Sequence, residues 1–229
     1  MKIMTFNTQH CLNFLEQKID YEIMAKLIVD QGADIVGLNE MFDGENGQYG
    51  MQTSKLAALA GFENHYFARA IYEGSSEYGN GFLSKIKMKS VERIPIPDPN
   101  PRAYNGYYET RVILKAVLEN GYTVLVTHFG LNPDEQENAV KTILENLTST
   151  KCILMGDFNV EPDDAVLEPI RAVMKDTADL FDKPKLSWPS DKPVKKIDYI
   201  FVSRDVNVSF ADIPDTIASD HLVHTAIID

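Results

Sequence analysis

Polar side chains able to do chemistry stand where apolar runs stop. Asn7 follows "KIMTF", Glu40 closes "IVGLNE" and His128 closes "VLVTH". Asp157 and Asn159 end "CILMGDFN", and the pair Asp220-His221 precedes "LVHTAII". Asp198 lies inside the apolar "KKIDYIFVS", where a carboxylate needs a partner or a metal. In α/β proteins the loops at strand ends form the crevice in which ligands bind. Each residue alone has an ordinary reading. Glu40 could be a solvated strand-end charge, Asp157 and Asn159 Asx-turn formers, His128 a structural histidine, and Asp220-His221 the start of a turn. Together they would need a separate excuse apiece. An Asp–His pair gives Asp198 its partner, since a carboxylate orients an imidazole and stabilises its charged form. Glu, Asp and Asn oxygens without a cysteine cluster suit a hard cation, one or two Mg²⁺ or Mn²⁺ ions, rather than zinc. Such an ion beside Asp and His favours water activation and stabilisation of charge on a phosphoryl oxygen. The expected chemistry is metal-assisted phosphoester hydrolysis.

Regular elements must bring these residues together. "KIMTF" reads as a strand ending at Asn7. Residues 16–32 read as a helix, with Ile19, Ile23 and Leu27 on one stripe and Gly32 as its stop. "ADIVGLNE" (33–40) is then a buried strand, and the three form a β-α-β unit with parallel pairing. The second half repeats the plan: a strand over 121–130, a helix opened by Asn132, Pro133 and Glu135, and a strand over 151–159. "GNGFLSKIKMKSVERI" and "YYETRVILKAVLENGYTVLV" read as antiparallel hairpins, the second turning at Glu119-Asn120-Gly121. "KKIDYIFVS", "VNVSFADI" and "LVHTAII" add three strands. Residues 94–108, with four prolines and three tyrosines, are either an ordered excursion near the site or a plain long connection. The expectation is an α/β fold in one domain, residues 1–229, with two sheets packed together and helices outside.

Composition narrows the partners. Lys and Arg total 22 against 34 Asp and Glu, a net charge of −12. That balance is a poor footprint for coating a nucleic acid and suits a cation or a locally held phosphate ester. Two cysteines, Cys11 and Cys152, point to free thiols in a reducing compartment. The N-terminus turns polar too early for a secretory signal, and no run approaches the roughly 20 apolar residues of a membrane span. A cytoplasmic protein is expected, with no transmembrane segment; no protein partner is implied.

The ordered series "FNTQH", "LNE", "GNGFLSK", "THFG", "GDFN", "KIDYIFVS" and "SDH" resembles the endonuclease/exonuclease/phosphatase superfamily, the deoxyribonuclease I-like group. The resemblance runs from residue 3 to about 227, and "GDFN", "IDYIF" and "SDH" in this order are its specific part. It implies a four-layer α/β/β/α sandwich of two mixed, mainly antiparallel sheets with the site at one end. By resemblance, Glu40 is the principal metal ligand, helped by Asn7 and Asp220, and Asp157 and Asn159 position or deprotonate water. His221, oriented by Asp198, acts as base or phosphate clamp, and His128 protonates the leaving oxygen or holds phosphate. Asn80 matches a phosphate-proximal position, Arg111 an arginine near the site or else a plain structural salt bridge, and His10 a second histidine of some bacterial members. Gln9 and His224 depart from the usual pattern. A metal-dependent phosphoesterase acting on a phosphodiester is therefore expected. A Mg²⁺-dependent DNA or RNA nuclease is the alternative, with Lys195, Lys196, Arg102 and Arg111 as a local basic rim. A catalytically silent metal-binding scaffold is the remaining reading; decay would break the Asp/His/Asn set first, and the set is complete.

Overall fold

Strand β1 (Lys2–Asn7) leads through a 3-10 turn to a two-residue hairpin, β2 (Leu12–Asn13) and β3 (Lys18–Ile19). Because Lys18 and Ile19 pair with Asn13 and Leu12, helix α1 (Tyr21–Gln31) starts later than the periodicity from residue 16 suggests. Asp20 caps it by accepting the Ile23 N–H at 3.1 Å, and Gly32 closes it in the left-handed region. Strand β4 (Ile35–Asp43) follows, then α2 (Gln52–Ala60), β5 (Asn64–Glu73), β6 (Ser76–Ser84), β7 (Met88–Pro95), β8 (Val112–Leu118) and β9 (Thr123–His128). Helix α3 (Pro133–Asn146), β10 (Cys152–Asp157), α4 (Glu168–Val173), β11 (Met174–Asp176), β12 (Asp198–Ser203), β13 (Val208–Asp212) and β14 (His224–Ile228) complete the chain. The computed structural model describes residues 1–45 and 47–229.

Twelve of these strands make two sheets with one plan. The orders are β13-β14-β1-β4-β6-β5 and β11-β12-β10-β9-β8-β7. Each has one parallel pair at its centre, β1 with β4 and β10 with β9, flanked by antiparallel neighbours. The doubled strand–helix–strand reading therefore holds. The hairpin expected over "GNGFLSKIKMKSVERI" does not, because β6 and β7 lie in different sheets and the turn between them crosses the sandwich.

Alternation along the strands writes the layers. Ile3, Ile35, Val126, Ile153, Met155 and Ile200 face the space between the sheets. Met4, Val36 and Leu38 turn outward to meet Met24, Leu27 and Ile28 of α1 and Leu56 of α2. On the far side Leu125, Leu154 and Phe201 meet Val140 and Ile143 of α3 and Ile170 of α4. Period-two strands with apolar residues on both faces give this four-layer α/β/β/α arrangement. Cys11 and Cys152 are buried free thiols in opposite outer cores, so they cannot pair. Among the described residues no helix is long and apolar enough to cross a membrane.

Strand β4 runs past Glu40, and its register against β6 shifts between Leu38 and Met41. Glu40 itself has a φ of 58°, so a bulge re-aims its side chain at the sheet's end. Beyond the bulge, buried Asp43 accepts the Thr53 N–H at 3.0 Å and ties β4 to the start of α2. Burial lifts its carboxyl from 3.8 to about 6, against the opposing pull of Thr53. The folded state thus favours protonated Asp43. Its stabilisation is complete below the unfolded value and lost as pH rises through about 6. Urea denaturation of the protein and of Asp43→Asn is expected to show their stability difference moving against the native residue by roughly 2 to 3 kcal/mol between about pH 4 and about pH 7.5. A constant difference would reject a buried, titrating Asp43.

Candidate active site

The two central parallel pairs end at the same edge of the sandwich. Asn7 lies beside Asn39 in one sheet, and His128 lies beside Asp157 in the other, with Asp198 on the next strand opposite Asp157. Gly156 lets β10 reach this edge. Its φ is 147°, and a Cβ there would stand 1.8 Å from the Thr127 carbonyl oxygen, so no side chain fits.

Asp157 is the focus. It is 1% exposed, and its Oδ1 accepts the Asn159 N–H at 2.9 Å in an Asx-turn. Its Oδ2 accepts Asn7 Nδ2 at 3.0 Å and lies 3.6 Å from His128 Nε2 and 3.7 Å from His221 Nε2. Asn7 Nδ2 also donates to Glu40 Oε1 at 3.0 Å, while its Oδ1 accepts the Gln9 N–H. Oriented this way, Asn7 ties two carboxylates together with its protons instead of turning an oxygen towards them. Asn159 Nδ2 donates to the Phe129 carbonyl at 3.0 Å, which fixes the loop after Asp157.

The two histidines carry different charge. His221 Nδ1 meets Asp198 Oδ2 at 2.9 Å. Burial works against its charged form, but Asp198 and Asp157 outweigh it and raise the imidazole above its ordinary value, making it an imidazolium at neutral pH. Burial, and then the charges of Arg111 and His221, hold His128 well below that value, so it is neutral. Arg111 Nη1 donates to His128 Nδ1 at 2.9 Å, and an arginine can only donate, so the proton of neutral His128 sits on Nε2. Both rings thus present an Nε2–H towards Asp157. Burial raises the Asp157 carboxyl and Asp198 adds to this, with His221 opposing.

A cleft of about 560 Å³ opens over these groups. Glu40, Asp157, Asn159, His128, His221 and Asp220 line it, with Arg111, Lys195, Tyr107 and Trp188. Asp220 accepts Ser219 Oγ at 3.0 Å and Trp188 Nε1 at 3.4 Å. The half-buried carboxylates of Glu40 and Asp220 leave oxygen lone pairs unmatched by hydrogen-bond donors, and a hard cation fits that donor set. Asp157, Asp198 and His221 also bring three potential ligand atoms within 4.8 Å of one another. His221 Nδ1 is already committed to Asp198, so this trio reads as an orienting chain for the imidazolium.

Asn7 thus acts otherwise than as the metal ligand expected, Asn80 and His10 stand elsewhere, and Arg111 reaches the cleft already held in an ion pair. Asn80 is buried beneath the site, accepting Asn39 Nδ2 at 2.8 Å and donating to the Val112 carbonyl at 3.0 Å, which is a structural use of both amide ends. His10 lies outside the cleft, its ring packed 5.4 Å from Tyr49 and 6.0 Å from Phe42. Arg111 is only 9% exposed and pairs with Glu109 Oε1 at 2.6 Å, so it sets the His128 tautomer with its charge already matched. The basic rim does not assemble: Lys196 is buried away from the cleft, and Arg102 stacks on Tyr108.

Sequence reasoning missed Asn39. Its Nδ2 donates to Asn80 and, across the sandwich, to the Thr127 carbonyl at 2.9 Å; its Oδ1 accepts the Asp157 N–H at 3.0 Å. An asparagine inside "IVGLNE" was the available signal, since a buried amide demands partners. Asn39→Ala leaves a buried carbonyl and N–H unpaired and is expected to cost roughly 3 kcal/mol in urea denaturation. A loss below about 1 kcal/mol would reject the tie. Glu109 was missed too. Its N–H is held at 3.1 Å by Glu135, whose other oxygen caps α3 by accepting the Asn132 N–H at 3.2 Å. Residues 94 and 95 end β7, and 96–108 are an ordered excursion against α3: Asn132 Nδ2 donates to the Tyr107 carbonyl, and Tyr108 donates to Asp134.

No curated protein matches the chain. Many solved structures share its fold, among them the following three. One, described as an endonuclease/exonuclease/phosphatase family protein from Leptotrichia buccalis C-1013-b, has a TM-score of 0.76 and 22% identity, over 100% of this chain and 99% of that one. An endonuclease/exonuclease/phosphatase from Beutenbergia cavernae DSM 12333 has a TM-score of 0.79 and 20% identity, over 100% of this chain and 71% of that one. A mannosyl-6-phosphatase from Bacteroides thetaiotaomicron VPI-5482 has a TM-score of 0.73 and 14% identity, over 100% and 99%. The family model described as Endonuclease/Exonuclease/phosphatase family matches residues 4–221, and the chain belongs to that family, whose members include phosphatases and nucleases.

Proposed function

We propose that the cleft hydrolyses a small phosphoester, with Mg²⁺ or Mn²⁺ held by Glu40 and Asp220. The observation that carries this reading is the convergence on Asp157 Oδ2 of two imidazole Nε2 atoms and the Asn7 amide, beside two further carboxylates. A bound divalent ion supplies Lewis acidity and lowers the pKa of coordinated water. Asp157 accepts the proton of the attacking water, because burial has raised its basicity towards neutral pH. The His221 imidazolium donates Nε2–H to a phosphoryl oxygen, and Asp198 holds it charged and oriented. Neutral His128 offers its Nε2–H to a second phosphoryl oxygen or to the leaving oxygen. His221→Ala is expected to lower turnover at least roughly a hundredfold, the scale of a lost acid–base group.

A small ester is favoured over a nucleic acid by charge. Among the described residues, Lys195 and Arg111 are the lysine and arginine lining the cleft, Arg111 is already paired, and the chain carries −12 overall. The test is hydrolysis by the purified protein, with Mg²⁺ or Mn²⁺, of a panel spanning sugar phosphates, inositol phosphates, sphingomyelin, abasic DNA and single-stranded RNA. Turnover of small esters supports the reading. Turnover confined to DNA or RNA, with a steep fall as salt rises, favours the nuclease. Mn²⁺ binding with no turnover across the panel favours a silent scaffold.

A further inference from the structure

Behind the cleft lies a second cavity of about 590 Å³, against the outer face of the sheet that carries Asp157. The segment 195–197 forms a wall of both. Lys195 and Ile197 line the catalytic cleft, whereas Lys196, between them, lines the second cavity. This cavity is cationic in an acidic chain: Arg171, Lys175, Lys185, Lys196 and Arg204 line it against three carboxylates, Glu161, Asp176 and Asp179.

The cations are incompletely matched. Arg204 donates to the Arg171 and Ala172 carbonyls at 3.1 and 3.0 Å, and Lys175 to the Val206 carbonyl; carbonyls bring no counter-charge. Asp176 alone is shared by Arg171 Nη2 and Lys196 Nζ, each 3.7 Å away. Lys185 pairs with Asp212. Lys196 is 5% exposed, and its Nζ sits 3.3 Å over the Tyr199 ring with no hydrogen-bond acceptor. A buried ammonium has three donors, and leaving them all unmade is costly. Its pKa, lowered by burial to about 8, still leaves it charged at neutral pH. Asp176 Oδ2, at 3.7 Å, is too far for a hydrogen bond, so what is missing is a negatively charged oxygen within hydrogen-bond distance of Nζ. Met174, Phe181 and Leu186 supply an apolar wall opposite the charges.

We propose that this cavity binds a small organic phosphate, its oxyanion on Lys196 with Arg171 and Arg204, and its apolar body against Phe181 and Leu186. The size lies within the range of ligand pockets, and arginine with lysine suits phosphate recognition. The site stands independently of what the catalytic cleft hydrolyses.

Phenylphosphonate, which has no ester bond to cleave, is the probe. It is titrated without divalent ion into the full chain, followed by ¹H–¹⁵N correlation spectra. Saturable shifts are expected at Met174, Phe181 and Leu186. Lys196→Met and Arg204→Gln are each expected to weaken binding at least about tenfold, as for a lost charge-assisted hydrogen bond, with spectra as dispersed as the parent's. Arg204 is exposed, so its variant remains informative even if Lys196→Met unfolds. Shifts confined to cleft residues such as Tyr107, Asn159 and Trp188, or Arg204→Gln and folded Lys196→Met both binding like the parent, would overturn the proposal.

Discussion

Asp157→Asn is expected to lower kcat about a thousandfold while the protein remains folded. The substitution keeps the shape and the Oδ1 that accepts the Asn159 N–H. It removes the basic oxygen on which Asn7, His128 and His221 converge, and such a group is worth roughly 10²–10⁴ in rate. The amide sets an N–H against the donors that face Oδ2 and removes one counter-charge of the His221 imidazolium, whereas it avoids desolvating a buried carboxylate. A net loss of about 1–3 kcal/mol is expected, which leaves a folded protein, so the two readouts separate: initial rates under saturating Mn²⁺ collapse while the urea transition stays cooperative. Turnover within about threefold of the parent would remove Asp157 from the role of base. Collapse of rate together with folding would point to a structural aspartate.

Glu40→Gln tests the other half of the site. Glu40 is partly exposed, and its hydrogen bond from Asn7 can be accepted equally by the amide oxygen of Gln. The fold thus loses little, whereas a cation held by Glu40 as proposed would lose a full negative charge. Substituting groups that merely support a metal's ligands costs about 10–100-fold in affinity, so losing a ligand's charge should weaken Mn²⁺ binding at least about a hundredfold. Titration followed by Mn²⁺ paramagnetic resonance reads this directly, without substrate. Turnover should fall with it and recover in part at high Mn²⁺. Unchanged Mn²⁺ affinity would move the ion away from Glu40, with Asp157, Asp198 and His221 as the remaining cluster.

The elements were legible where local chemistry decides them. Gly32, the capping glutamate at 135 and the turn at 119–121 mark ends that the structure keeps. The helix start was misplaced because Lys18 and Ile19 pair backwards onto Leu12 and Asn13, a contact no helical stripe reveals. The hairpin expected between β6 and β7 failed for a related reason: an apolar run does not say which sheet it joins.

For the site, the sequence by itself supplied the cast. Glu40, Asp157, Asn159, His128, Asp220 and His221 all reach one cleft, because strands of both sheets, the bulge in β4 and the loops before β14 and after β10 meet at a common edge. Residue types also fixed the hard donor set. Tertiary structure alone decided the division of labour. Whether His128 is neutral and His221 charged depends on which group faces each Nδ1, Arg111 for one and Asp198 for the other. Those partners lie 17 and 23 residues away along the chain. It likewise turned Asn80 inward, placed His10 among aromatic rings and joined the sheets through Asn39. Charge state and hydrogen-bond direction belong to the neighbours a side chain meets in space, and a linear order of residues does not contain them.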